Sequence, residues 1–167
     1  MIILGMDTAL RTTGYGVIAC EGKMMKAVDC GVIKTAPKAP HSECLARLGN
    51  GIEELIKAFE PKIGVIEGGF YGRNVKTAMV LGMARGVVVS ALARHQIPVF
   101  EYAPRRAKQA VVGYGNATKE QVAQVISMML KLNVGDIPTD STDAMAIAMC
   151  HALTISSHGG IYTKDPL

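Results

Sequence analysis

The sequence predicts an α/β fold, a mixed five-stranded sheet flanked by helices. Three observations predict it. Three strand-like runs open the chain, joined by short links. A helical stripe and then alternating strand and helix runs follow, the order that builds a sheet covered by helices. Two of the apolar strand runs end in an acid, which marks one end of the sheet as polar.

Met1–Met6 is continuously apolar and reads as a buried strand ended by Asp7. Thr12–Cys20 and Ala27–Lys34 read as the second and third strands, with Glu21-Gly22-Lys23 as a hairpin turn between them. Pro37 and Pro40 break the chain. Ser42 is then expected to cap a helix reaching Phe59, whose Leu45, Leu48, Ile52, Leu55, Ile56 and Phe59 fall on one stripe. Lys62–Ile66 is the fourth strand, closed by Glu67.

The loop Gly68–Asn74 carries three glycines together with Phe70, Tyr71 and Arg73. Aromatics and a cation there suit stacking on bases or wedging between them. Phe70 folding back on the core is the alternative. Val75–His95 is a long helix that brings Lys76 near its start, with Gly82 and Gly86 four apart. That spacing marks close backbone approach, either to the sheet or to a second copy of the helix. Ile97–Tyr102 is the fifth strand, and Pro104–Val112 a short helix bearing Arg105 and Lys108. After the turn Gly113–Asn116, Thr118 caps a helix through Leu130. Lys119 at its first position opposes the helix dipole and hints at a bound anion nearby, an exposed lysine being the alternative. In Ile137–Ala148, Pro138 suits a helix N-terminus, and Thr139, Asp140 and Ser141 are all competent caps.

A chain of 167 residues suits one domain, placed here at 1–156, with a Gly-rich tail at 157–167 expected to be flexible. The chain is 49% apolar with mean hydropathy +0.24, which excludes a disordered or coiled-coil protein. Net charge is +4, and Arg105, Arg106, Lys108 and Lys119 lie in a stretch without acids, so they account for the whole excess. A basic stripe on a neutral body points to a polyanion or to a solvated face. Cys20, Cys30, Cys44 and Cys150 form no C-x-x-C pair, which fits reduced thiols in a cytoplasmic protein. No secretory leader is read at the start. The apolar stretch Ala78–Ala93 contains Arg85 and is expected to be too short to span a bilayer.

Asp7, Glu67, Asp140 and Asp143 are the candidate centre. Asp140 and Asp143 are three apart and share a face if helical; taken alone they read equally as caps. Asp7 and Glu67 end strands expected to be neighbours, and a helix start packed over those ends joins all four. An all-carboxylate site suits hard ions, magnesium or manganese rather than zinc. Four close carboxylates need roughly two divalent ions, the arrangement that clamps both oxygens of a phosphoryl transfer. The residues therefore read as a metal-dependent nuclease.

The chain resembles the RuvC family of Holliday junction resolvases, within the ribonuclease H-like superfamily. The resemblance runs from Ile3 to about His151. It is carried by Ile-Leu-Gly-Met-Asp (3–7), Thr-Gly-Tyr-Gly-Val-Ile (13–18), Ile-Glu (66–67) with Phe70 and Asn74, and Leu-Gly-Met-Ala-Arg-Gly (81–86). Pro-Val-Phe-Glu-Tyr (98–102), Lys-Gln-Ala-Val-Val-Gly-Tyr-Gly (108–115) and Asp-Ser-Thr-Asp-Ala-Met-Ala-Ile-Ala (140–148) complete it. It implies a homodimer that binds a four-way DNA junction and makes paired symmetric nicks. It also implies two magnesium ions per subunit and association with the RuvA–RuvB branch-migration complex. By position, Asp7, Glu67, Asp140 and Asp143 match the catalytic acids, Phe70 a junction wedge, Lys108 and Lys119 DNA contacts near the scissile phosphate, and Gly82 and Gly86 the pairing helix. Tyr71, Arg73, Lys76 and Arg105 are added as candidate DNA contacts. Thr8-Ala9-Leu10 departs from the family's usual Pro-Gly-Ser-type turn, and Gly68-Gly69 differs after the second acid.

Two other function classes share parts of this pattern. An ATP-binding module of the actin and sugar-kinase type also opens with Gly-x-Asp before a hairpin, but that architecture needs two such domains. A catalytically weak junction-binding scaffold would keep the DNA surface without the nicking.

Overall fold

The computed structural model describes residues 1–22, 24–68, 74–133, 138–157 and 165–167. Phe70, Tyr71, Arg73, Lys23 of the hairpin turn and most of the expected tail lie outside them. The five strands are β1 (Ile2–Asp7), β2 (Thr12–Glu21), β3 (Met24–Lys34), β4 (Ile63–Glu67) and β5 (Val99–Tyr102). They form one sheet in the order β3-β2-β1-β4-β5. β1, β2 and β3 pair antiparallel, whereas β4 is parallel to both β1 and β5, so the sheet is mixed as expected. Among the described residues the α-helices are α1 (His41–Phe59), α2 (Val75–Arg94), α3 (Pro104–Val112), α4 (Lys119–Leu130) and α5 (Thr142–Ser157).

Alternation along each strand sorts the side chains between two cores. Leu4, Met6, Val17, Ile66 and Val99 face α1 and α2. Ile3, Ile18, Ile63, Val65, Phe100 and Tyr102 face α3, α4 and α5. Following the same alternation, Asp7 continues the Ile3-Gly5 side and Glu67 the Ile63-Val65 side. Both acids therefore emerge on the α5 face, at the ends of adjacent parallel strands.

Glycines let α5 lie directly on that face. A β-carbon at Gly5 would meet the Ala144 carbonyl oxygen at 2.2 Å, and one at Gly16 would meet the Met145 sulfur at 2.4 Å. At Gly14, opposite Asp7 in the β1–β2 register, it would stand 1.8 Å from the Asp140 carbonyl oxygen. Side chains at these three positions would push the acidic helix start away from the strand ends.

Several expectations are corrected. Ser42 does not cap α1: Pro40 occupies the cap position, with no side-chain cap bond. Its fixed ring is suited to the chain's extended entry. Thr139, Asp140 and Ser141 form a short 3-10 turn that leads into α5; Ser141 Oγ donates to the Pro138 carbonyl at 2.7 Å. Gly82 and Gly86 do not approach the sheet, since a β-carbon at either would meet nothing within 4 Å. The apolar stretch expected to be too short for a bilayer belongs to a 20-residue helix that is long and apolar enough to cross one by length and composition alone. In this fold α2 instead packs Ala84, Val88, Ala91 and Leu92 into the core.

Candidate active site

Burial and mutual repulsion dominate the acid cluster. The Asp7 carboxyl titrates above its usual range, mainly through burial, then through the charges of Asp143 and Asp140, with Lys119 opposing. Glu67 is pushed up to about 7, again by burial first and then by Asp7 and Asp143, while Lys119 and Lys108 pull it back. Asp7, Glu67 and Asp143 are half-buried; Asp140 is exposed on the 3-10 turn. The fold thus brings the four predicted acids into one electrostatic neighbourhood.

Two lysines complete the cluster. Thr118 caps α4 through a reciprocal bond pair with Gln121, which sets Lys119 at the helix start. Lys119 Nζ reaches Asp143 Oδ2 at 2.6 Å, and this carboxylate raises the lysine's own pKa. The anion facing Lys119 in the fold is thus a side chain of the chain itself. Lys108 Nζ, from α3, donates to the Ala117 carbonyl at 3.0 Å, tying α3 to the entry of α4. Arg105 and Lys76 occupy exposed positions on α3 and on the first turn of α2.

The donor set fits a hard divalent ion. Its atoms are carboxylate oxygens, and its two inner acids hold their protons unusually tightly, first because they are buried and then because neighbouring carboxylates repel their charge. Lys119 supplies one such charge from the rim. Among the described residues no three acid, histidine or cysteine side chains close into a ready-made metal cage. His151 stands apart from this cluster. Its imidazole is pulled down to about 4 by burial and shares a hydrogen bond with the Tyr102 hydroxyl at 3.0 Å, so it is a neutral core group.

The altered turn after Asp7 closes without glycine. Thr13 Oγ1 donates to the Ala9 carbonyl at 2.5 Å and accepts from the Ala9 amide at 3.2 Å. Leu10 is buried beneath it. None of Thr8, Ala9 or Leu10 has a positive φ, so side chains are tolerated at all three.

Sequence reasoning missed a second group behind β4. Arg85, on α2, donates from Nη1 to the Glu67 carbonyl at 2.8 Å and from Nη2 to Glu101 Oε2 at 2.5 Å. The available signal was a lone arginine inside an apolar helix, which demands a partner.

With this geometry in place, comparison with known proteins decides the family. A family model described as Crossover junction endodeoxyribonuclease RuvC matches residues 3–151. The chain belongs to the RuvC family. A RuvC of Alkaliphilus metalliredigens is 44% identical over 152 residues, covering 91% of this chain and 93% of the relative. That of Chloroflexus aggregans is 42% identical over 154 residues, covering 92% and 94%. The structure of T. thermophilus RuvC in complex with Holliday junction substrate superposes with TM-score 0.89 at 32% identity, covering 100% of this chain and 99% of that one. The mixed sheet with flanking helices is thus the ribonuclease H-like fold of RuvC structures, and the RuvC family is one of divalent-metal-dependent nucleases.

Proposed function

We propose that the protein is a structure-selective endonuclease that resolves four-way DNA junctions by paired, symmetric nicks during recombination and repair. One observation carries the reading: Asp7 and Glu67 emerge side by side on the face that receives Asp140 and Asp143, and both inner acids are buried among like charges. The family supports junction cleavage as the use of that cluster.

In this reading the acids hold two magnesium ions per subunit, for which manganese can substitute. Asp7, Glu67, Asp140 and Asp143 are the residues that would hold them. When bound, the ions supply Lewis acidity toward an attacking water and the leaving 3′ oxygen. Lys119, half-exposed at the rim, offsets charge developing on the phosphate. Lys108, Lys76 and Arg105 contact the backbone, with Phe70, Tyr71 and Arg73 at the junction itself.

The active unit is a homodimer. Val75, Met79 and Met83 are exposed on α2, the helix that also carries the open backbone at Gly82 and Gly86. Only 22% of the most apolar part of α2 is buried within the chain, leaving a surface suited to a second copy. Among the described residues no disulfide is formed, which supports a cytoplasmic location. The family resemblance extends the partners to the RuvA–RuvB complex and to no membrane.

The test is a nicking assay on a synthetic mobile four-way junction in magnesium and in calcium, beside a linear duplex of equal sequence. Paired, ligatable nicks in magnesium, confined to the junction, are expected. Junction binding in calcium without nicks in magnesium or manganese would instead identify a scaffold.

A further inference from the structure

We propose that Arg85 is a positioning residue for catalysis, which fixes the end of β4, and so the Glu67 carboxylate, from behind the sheet. The inference deepens the nuclease reading and rests on it. Glu67 is the last residue of β4, where pairing with β1 has ended at Ile66 and only the register with Tyr102 of β5 remains. Its carboxylate points to the α5 face, but its carbonyl is held by Arg85 from α2, on the opposite side. The Gly68 amide donates to the Tyr102 carbonyl at 2.9 Å, so the strand end is gripped from β5 as well.

Glu101 completes the arrangement. It stands on the α2 side of β5, accepts the second arm of Arg85, and lies over Gly68, where a β-carbon would come within 3.2 Å of its carboxylate. The guanidinium thus joins α2, β4 and β5 through two donors in fixed relative geometry. A lysine has the charge but not the fork. The Arg85 and Glu101 side chains are only 30% and 31% exposed, so the pair holds a defined place rather than a solvated one. The two charges neutralise each other, and the influence on Glu67 is geometric. Misplacement of a reacting group by about 1 Å can cost on the order of a hundredfold in rate.

Four variants test it: Arg85→Lys, Arg85→Ala, Glu101→Ala and the double variant R85A/E101A. The readouts are single-turnover cleavage at saturating protein, junction affinity in calcium, and melting temperature. Arg85→Lys is expected to slow cleavage about tenfold, and Arg85→Ala more, with junction affinity within about twofold of the unaltered protein. The double variant R85A/E101A is expected to be no slower than R85A, because both remove one clamp. Cleavage by R85A at the unaltered rate overturns the inference, as do multiplicative losses in the double variant. Parallel loss of rate, affinity and melting temperature in R85K also overturns it, since that describes a residue needed only for folding. If the unaltered protein makes no nick, the nuclease reading falls with it; if that protein nicks and R85A nicks equally fast, only the role of Arg85 falls.

Discussion

Asp7 and Glu67 are costly residues at the ends of buried strands. Each loses hydration, and each feels Asp143 across the cluster. Replacing Asp7 by asparagine keeps the shape and removes the charge. Cleavage is expected to fall by at least about a hundredfold while junction binding in calcium persists; a D7N protein that cleaves normally would contradict the assigned role. Glu67 carries a pH signature. Its folded value of about 7 exceeds the ordinary 4.5, so the folded chain holds this proton more tightly than the unfolded chain. The associated stability is complete below 4.5 and is lost as pH rises through about 7. Without divalent ions, the protein is expected to melt at a lower temperature above that range than below it on account of this group. Glu67→Gln is expected to reduce that slope, and calorimetry across the pH range checks it.

The element that brings the acids together is α5, and its seat is glycine. Gly14→Ala would set a methyl 1.8 Å from the backbone oxygen of Asp140, so the 3-10 turn must lift. The expected cost is about 1–3 kcal/mol, with loss of cleavage because Asp140 moves away from Asp7. Gly16→Ala first meets the thioether of Met145, a side chain with rotatable bonds, and is expected to cost less. Denaturant midpoints of the two variants measure the difference. Equal midpoints would show that α5 can shift without loss.

For the whole molecule, α2 joins two jobs. Its inner side packs on the sheet and carries Arg85 to the back of Glu67; its outer side shows Val75, Met79 and Met83 near open glycines. Gly86→Arg meets open space at its β-carbon, so the fold is expected to survive. It is expected to block close approach of a second α2 and yield a monomer by sedimentation. A Gly86→Arg protein that remains dimeric would move the interface elsewhere.

The strands, most helix limits and the places of Asp7 and Glu67 at strand ends were legible in the chain alone. They rest on local alternation, helical stripes and turn residues, which neighbours in the chain supply. The strand-ending positions of Asp7 and Glu67 could be read for that reason, as could the Thr118 cap. Ser42 was misplaced because a competent hydroxyl and a proline compete for the same entry, and propensity alone does not rank them. Other features exist only once the chain is folded. Gly5, Gly14 and Gly16 form one seat for α5, Lys119 sits on Asp143, and Arg85 reaches Glu67. Each of these joins residues far apart in sequence, so its energy comes from packing and charge in three dimensions. No local pattern encodes it.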